Sequence, residues 1–237
     1  MTIPVDIAPR SANLKATSIL DIDSEEVRKQ VETIIDPEQS DRAFLQRAHH
    51  HLCQLVRPVY SVNELQPVSK TLNERKGSCS QRMACLEAMS RAAGISTRVR
   101  VLYVSGRFWY PRFWLSRPFI PARILLVWPQ FFLHGMWVDL DELYSPVALL
   151  VATSDGFRND GESLFEAVQK TPVDFLGKSC GLACAKPEHD LSRFVLRDEG
   201  FFDTRDEAFE RFGSFRHTLR GHVFEAVFGG RKSGQVL

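Results

Sequence analysis

The sequence carries no surplus of charge of either sign: 30 lysines and arginines face 29 aspartates and glutamates, a formal net charge of +1. That balance removes the main electrostatic handle for nucleic acid or an anionic membrane surface, so neither is an expected partner. Long apolar runs are also missing. The first twenty residues lack the continuous apolar stretch of a secretory signal, and 119–133 is apolar but interrupted by Pro121, Arg123 and Pro129 and too short to span a bilayer. A soluble, cytoplasmic protein is the expectation. Cysteine is scarce and odd in number, Cys53, Cys79, Cys85, Cys180 and Cys184, which favours reduced thiols over a disulfide framework. There is no Gly-rich phosphate loop, no His-Glu-x-x-His zinc motif and no Gly-x-Ser-x-Gly elbow, and neither repeats nor low-complexity segments occur. No cofactor is called for.

What is present is concentrated in residues 75–100, RKGSCSQRMACLEAMSRAAGISTRVR. Ser78 is a good N-cap, Gly94 supplies the left-handed residue that ends helices, and 97–103 is rich in β-branched residues. The stretch therefore predicts a helix opening at Cys79 and a strand from near Thr97. Unpaired N–H groups and the positive end of the helix dipole favour a thiolate at that first position, which would lower the thiol pKa and sharpen the nucleophile. Small residues (Ala84, Cys85, Ala88, Ala92) and core-fillers (Met83, Leu86, Met89) point to a helix buried on most sides, with Glu87 and Arg91 as a narrow wet face at i, i+4 spacing.

The segment 61–79, SVNELQPVSKTLNERKGSC, followed by AMSRAAGISTRVRV, resembles the core of the transglutaminase-like superfamily. In that family a Gly-x-Cys opens the central helix and an Arg-Ala-x-Gly-Ile closes it. Gly77-Ser78-Cys79 and Arg91-Ala92-Ala93-Gly94-Ile95 match both landmarks at the usual separation. The resemblance implies an α+β, papain-like core with the Cys79 helix packed on an antiparallel sheet, covering about 61–145. Residues 1–60 would form an N-terminal arm and helices packed on that core, and 146–237 an extension of the same domain.

The family's next two landmarks are a His-x-Trp strand and an Asp in a Trp-Val-x-Leu-Asp strand. The second is present as Trp137-Val138-Asp139-Leu140-Asp141, so the resemblance gives Asp141 the acidic position. Counting back over the hairpin puts Trp128 on the motif tryptophan and Leu126 where the catalytic His belongs. Leucine can neither pair with a thiolate nor protonate a leaving group. His134 lies eight residues further along, about 25 Å in an extended strand. His51, taken as the inward-facing member of the His49-His50-His51 run on a helix over 41–56, is the other surrogate base.

Elsewhere the pattern predicts an irregular arm over 1–20, a helix over 23–35 with Val27, Val31, Ile34 and Ile35 on its apolar face, and an unstructured excursion over 106–121. Trp109 and Trp114 on that excursion, with Leu126 and Trp128, would line the substrate site. His134-Gly135 fits a two-residue hairpin turn. Residues 161–170 read as a short helix, 201–228 as terminal helix with DTRDEAFER a charge-laced surface, and the last nine residues as a loose tail. Cys180 and Cys184 with His189 lack a second ligand pair, so no metal site is assigned.

The function this predicts is cysteine-dependent acyl transfer, with an acyl-enzyme on Cys79 and Asp141 orienting a partner. The substrate would be an amide or thioester, either a small molecule of a specialised biosynthetic pathway or carrier-bound, with cyclisation or amide formation open. The alternatives are a binding protein that has lost its His, and a peptidase or amidase with its base from elsewhere.

Overall fold

A computed structural model describes residues 8–113, 117–144, 163–169 and 191–232. Three helices precede the central one: α1 (Glu25–Ile34), α2 (Asp41–Leu55) and α3 (Val68–Glu74). Ser24 and Ser40 cap the first two by accepting from the backbone N–H of Val27 and Ala43. A two-residue parallel pair, β1 (Arg57–Pro58) with β2 (Lys76–Gly77), brackets α3. The central α4 (Cys79–Ala92) is held at its start by a reciprocal box. Ser78 Oγ accepts from the Gln81 N–H, and Gln81 Oε1 accepts from the Ser78 N–H at 2.8 Å.

The sheet has four antiparallel strands in the order β5-β4-β3-β6: β3 (Thr97–Ser105), β4 (Arg123–Leu133), β5 (Met136–Asp139) and β6 (Val195–Phe202). The β4–β5 hairpin turns at His134 and Gly135, both at positive φ (50° and 81°), as the dipeptide implied. A four-residue α5 (Leu164–Ala167) sits against α4, and α6 (Arg205–Phe212) and α7 (Leu219–Phe228) follow β6. The fold is thus α+β, with helices packed on an antiparallel sheet as expected. Its main core joins Leu20 of the arm, Val27 of α1, Leu52 of α2, Met89 of α4, Val101 of β3 and Phe131 of β4.

Several expectations are corrected. The face of α4 expected to be wet is closed, with Glu87 0% and Arg91 3% exposed. Arg205 of α6 bonds Glu87, while Arg91 spends its donors on Thr97 and on the carbonyls of Ala12, Lys15 and Asp203. The charge-laced 203–211 segment is therefore one of the covers of the central helix, since Arg205 is buried. On α2 the inward histidine is His49, because the buried face runs through Phe44, Leu45, Ala48 and Leu52; His51 is half-buried. Ile35 ends outside α1 and is 51% exposed. Phe201 and Phe202 belong to a strand, not a helix. The start of the C-terminal tail is tied down, with Tyr60 N–H donating to Arg231 O and Gly230 N–H to Tyr60 O. Trp114, Cys180, Cys184 and His189 lie outside the described residues.

The excursion after β3 is mostly 3-10 helix, over Gly106–Arg112 and Arg117–Phe119, rather than irregular chain. Its two ends meet at Gly106, whose N–H donates to Ala122 O. A Cβ there would fall 1.9 Å from Pro121 O and 2.9 Å from Ile120 Cγ2. Gly106→Ala must therefore push backbone aside, at an expected cost of about 1–3 kcal/mol. A lowered urea midpoint and new protease cuts within 107–121 would register it; an unchanged midpoint would refute it.

Candidate active site

Cys79 lies at the N-terminus of α4 on the wall of a mostly apolar cavity of about 200 Å³. The loop after β1 contributes Tyr60, Val62 and Glu64, the excursion Trp109, Arg112 and Phe113, β4 Leu125 and Leu126, and α7 Phe224. Aromatic packing closes one side: Phe113 meets Phe224 at 5.9 Å and Phe228 at 5.6 Å between ring centroids, and Tyr60 meets Phe113 at 4.7 Å. Glu225 pins α7 there, accepting from Ser61 Oγ (3.0 Å) and the Val62 N–H (2.7 Å).

The backbone N–H groups of Cys79 and Ser80 have no acceptor among the described residues, since the Ser78–Gln81 box serves the N–H groups of Ser78 and Gln81 and the Arg82 N–H turns back to Ser78 O. They are the open donors of the first helical turn. The thiol itself differs from expectation. Burial pushes Cys79 up to about 11, against the pull of Arg82, the Phe165 backbone and Arg112. A helix end offers about 0.3–1 kcal/mol to an anion, less than burial takes away. Cys79 is a protonated thiol at neutral pH.

Behind Cys79 lies a buried polar network. Arg82, on the first turn of α4, donates to Ser163 Oγ at 3.1 Å and Glu166 Oε1 at 2.7 Å, and its guanidinium lies 4.6 Å from the Phe165 ring centroid. Burial works to raise Glu166, but Arg82 and Ser163 outweigh it and hold the carboxyl below its ordinary value. His49 Nε2 meets Phe165 O at 2.6 Å, so Nε2 carries the proton, and Nδ1 accepts from Tyr144 Oη or Gln169 Nε2, each at 2.9 Å. Both ring nitrogens are occupied, and burial pulls the imidazole down to about 4.

Of the residues singled out from sequence, Cys79, Leu126 and Trp109 meet at the cavity. Trp128 does not line it, which corrects the expectation; two residues along β4 from Leu126, it is fully buried, and its Nε1 donates to Asp141 Oδ1 at 3.2 Å. Asp141 is half-buried against that indole. Desolvation, with Asp139 nearby, pushes its carboxyl well above the usual range. His51 Nε2 bonds Gln30 Oε1 at 2.8 Å between α2 and α1, and His134 occupies the hairpin turn; neither lines the cavity. Glu64 and Phe224, which sequence reasoning missed, do. A loop carboxylate and a helix phenylalanine over a hundred residues away carry no local signal that they share a site.

Residues 28–142 match the sequence profile of the transglutaminase-like superfamily. That segment belongs to the transglutaminase-like superfamily. Within the matched segment Cys79 opens α4, Leu126 lies on β4, and Asp141 follows β5 in a 3-10 helix over Leu140–Tyr144 rather than on the strand. No curated protein matches the chain. Two solved structures share part of its course. A candidate cysteine protease from Cytophaga hutchinsonii is 16% identical, with a TM-score of 0.42, over 58% of this chain and 44% of that one. A candidate protease from Parabacteroides distasonis is 13% identical, with a TM-score of 0.36, over 52% and 25%. The chain thus spans less than half the length of either. Among the described residues no three His, Cys, Asp or Glu side chains gather as a metal site, and no helix is long and apolar enough to cross a membrane.

Proposed function

We propose that the protein transfers acyl groups through Cys79, with a thioester as acyl donor and the acyl chain or ring filling the apolar cavity. The observation that carries this reading is the cysteine opening onto that cavity beside two unpaired N–H groups, which are in position to receive the oxyanion of a tetrahedral adduct. A space of about 200 Å³ suits a compact acyl group, given that about 150 Å³ holds benzene.

The choice of thioester follows from the two acidities. Attack forms the bond from Cys79 Sγ to the acyl carbon, breaks the bond to the donor sulfur, and moves the Cys79 proton to the departing thiolate. A donor thiol of ordinary acidity, about 8.5, leaves in preference to a Cys79 thiol near 11. An amide nitrogen is a far poorer leaving group than a thiolate and must be protonated before it departs. Carrier-bound and small-molecule thioesters share this chemistry.

The test is intact mass spectrometry after incubation with the N-acetylcysteamine thioester of benzoate. One benzoyl group on the wild type with release of one thiol, and none on Cys79→Ser, is the expected result. An unmodified wild-type protein that still binds the probe would replace this reading with a second one, a binding protein that has lost catalysis, which Leu126 in the family's histidine position favours.

A further inference from the structure

We infer that Glu64 is the acid–base residue of this cavity, taking the proton from the acyl acceptor as it attacks the Cys79 acyl-enzyme. The inference rests on the acyl-transfer reading above and adds the step that empties the site. Glu64 stands in the loop between β1 and α3, on the same wall system as Ser78, Cys79 and Ser80. Its carboxyl makes no hydrogen bond among the described residues, although the loop around it is firmly held. Gln81 Nε2 donates to the Asn63 carbonyl at 2.8 Å, Asn63 Nδ2 donates to Gln66 Oε1 at 3.3 Å, and the Val62 N–H is held by Glu225. The first of these bonds comes from the residue that completes the cap of α4. The segment bearing Glu64 is therefore anchored to the same helical turn that bears Cys79.

An unpaired carboxyl in a mostly apolar cavity is costly unless it is neutral or used. Burial raises Glu64 to about 7, with Arg205 opposing, which puts both of its protonation states within reach near neutrality, where proton transfer by one group in both directions is most effective. The other charged or titratable groups around the space are Arg112 from the excursion, Arg123 from β4, Tyr60 from the loop after β1 and Cys79 itself.

The cycle closes without an outside reagent. The acceptor, water or an amine, forms its bond to the acyl carbon and gives its proton to the Glu64 carboxylate, while the bond from the acyl carbon to Cys79 Sγ breaks. Glu64 then returns that proton to the Cys79 thiolate, downhill because Cys79 is the weaker acid. No imidazole is required at the Leu126 position for this half of the reaction.

The experiment is a single turnover. Wild type, Glu64→Gln and Glu64→Asp are loaded with benzoyl from the N-acetylcysteamine thioester, and loss of the benzoyl group from Cys79 is followed by mass from pH 5 to 9. The expected result is wild-type release that rises through an inflection near 7. Release from Glu64→Gln should be slower by about a hundredfold with the inflection gone, and Glu64→Asp should keep an inflection. A variant that takes the acyl group is folded at the site, so slow release is not misfolding. Equal release and an equal pH profile in Glu64→Gln would overturn the inference while leaving acylation of Cys79 standing. Failure of Glu64→Gln to load where wild type loads would also overturn it, since the residue would then serve the first step. Failure of wild type to load would remove the acyl-transfer reading and this inference together.

Discussion

Arg205→Ala is expected to destabilise the protein by about 3–5 kcal/mol, because it strands a buried carboxylate. Arg205 and Glu87 are 1% and 0% exposed at their side chains, and Nε meets Oε1 at 2.5 Å. Nη1 also donates to Ser80 Oγ at 3.2 Å and Nη2 to Val127 O at 3.0 Å, so one guanidinium joins α6, α4 and β4. The second carboxyl oxygen of Glu87 has no hydrogen-bond partner among the described residues, which leaves Arg205 as its main compensation. Burial already pushes Glu87 up against the pull of Arg205. Removing both charges in Glu87→Leu/Arg205→Met should recover most of the loss, since two apolar side chains of similar volume strand nothing. Urea unfolding of the single and double variants measures both quantities; a cost below about 1 kcal/mol for Arg205→Ala would mean that the pair is not holding the layers together.

Acidification supplies the second large effect. Burial holds His49 neutral and lowers it to about 4, while in the unfolded chain it titrates near 6.5. A depressed pKa contributes stability that is fully present above the unfolded value and lost as pH falls through the folded one. Between pH 6.5 and 4 the unfolded chain takes up a proton that the folded one refuses, which costs about 3 kcal/mol over the window. In His49→Gln that component disappears, so its stability should fall less steeply across the same window, whatever its stability at pH 7. Matching slopes for the two proteins would show that His49 does not drive the loss. The same titration would place a proton on Nδ1 and end its acceptance from Tyr144 or Gln169, while the Nε2–H bond to Phe165 O remains, loosening the residues that pack behind Cys79.

Much of the candidate site was legible because its signals are local. The Ser78 cap, the Cys79 start and the Gly94 end lie within one helix length, and the His134-Gly135 turn needs only its own two residues. The β4–β5 pairing was visible because strand spacing across a tight hairpin is nearly fixed. What failed were inferences that took solvent for granted. Glu87 and Arg91 at i, i+4 spacing describe an exposed helix face only if nothing covers it, and here segments near residues 12 and 205 do. His51 was preferred to His49 because two apolar stripes on α2 differ by a fraction of a turn, and only the neighbours of the helix choose between them. The Cys79 acidity was misjudged for a related reason: the helix end is a sequence feature, but the burial that outweighs it comes from packing.

By itself the sequence determined the α+β core, the cysteine at a helix N-terminus and the tight turn that sets the β4–β5 register. Each depends on residues close together in the chain, or on spacings that backbone geometry holds constant. Only the tertiary structure decided which charges are buried, which histidine faces inward, and that Glu64, Cys79, Leu126 and Phe224 share one cavity. Those outcomes depend on desolvation and on contacts between segments up to about 160 residues apart, and no local pattern encodes either.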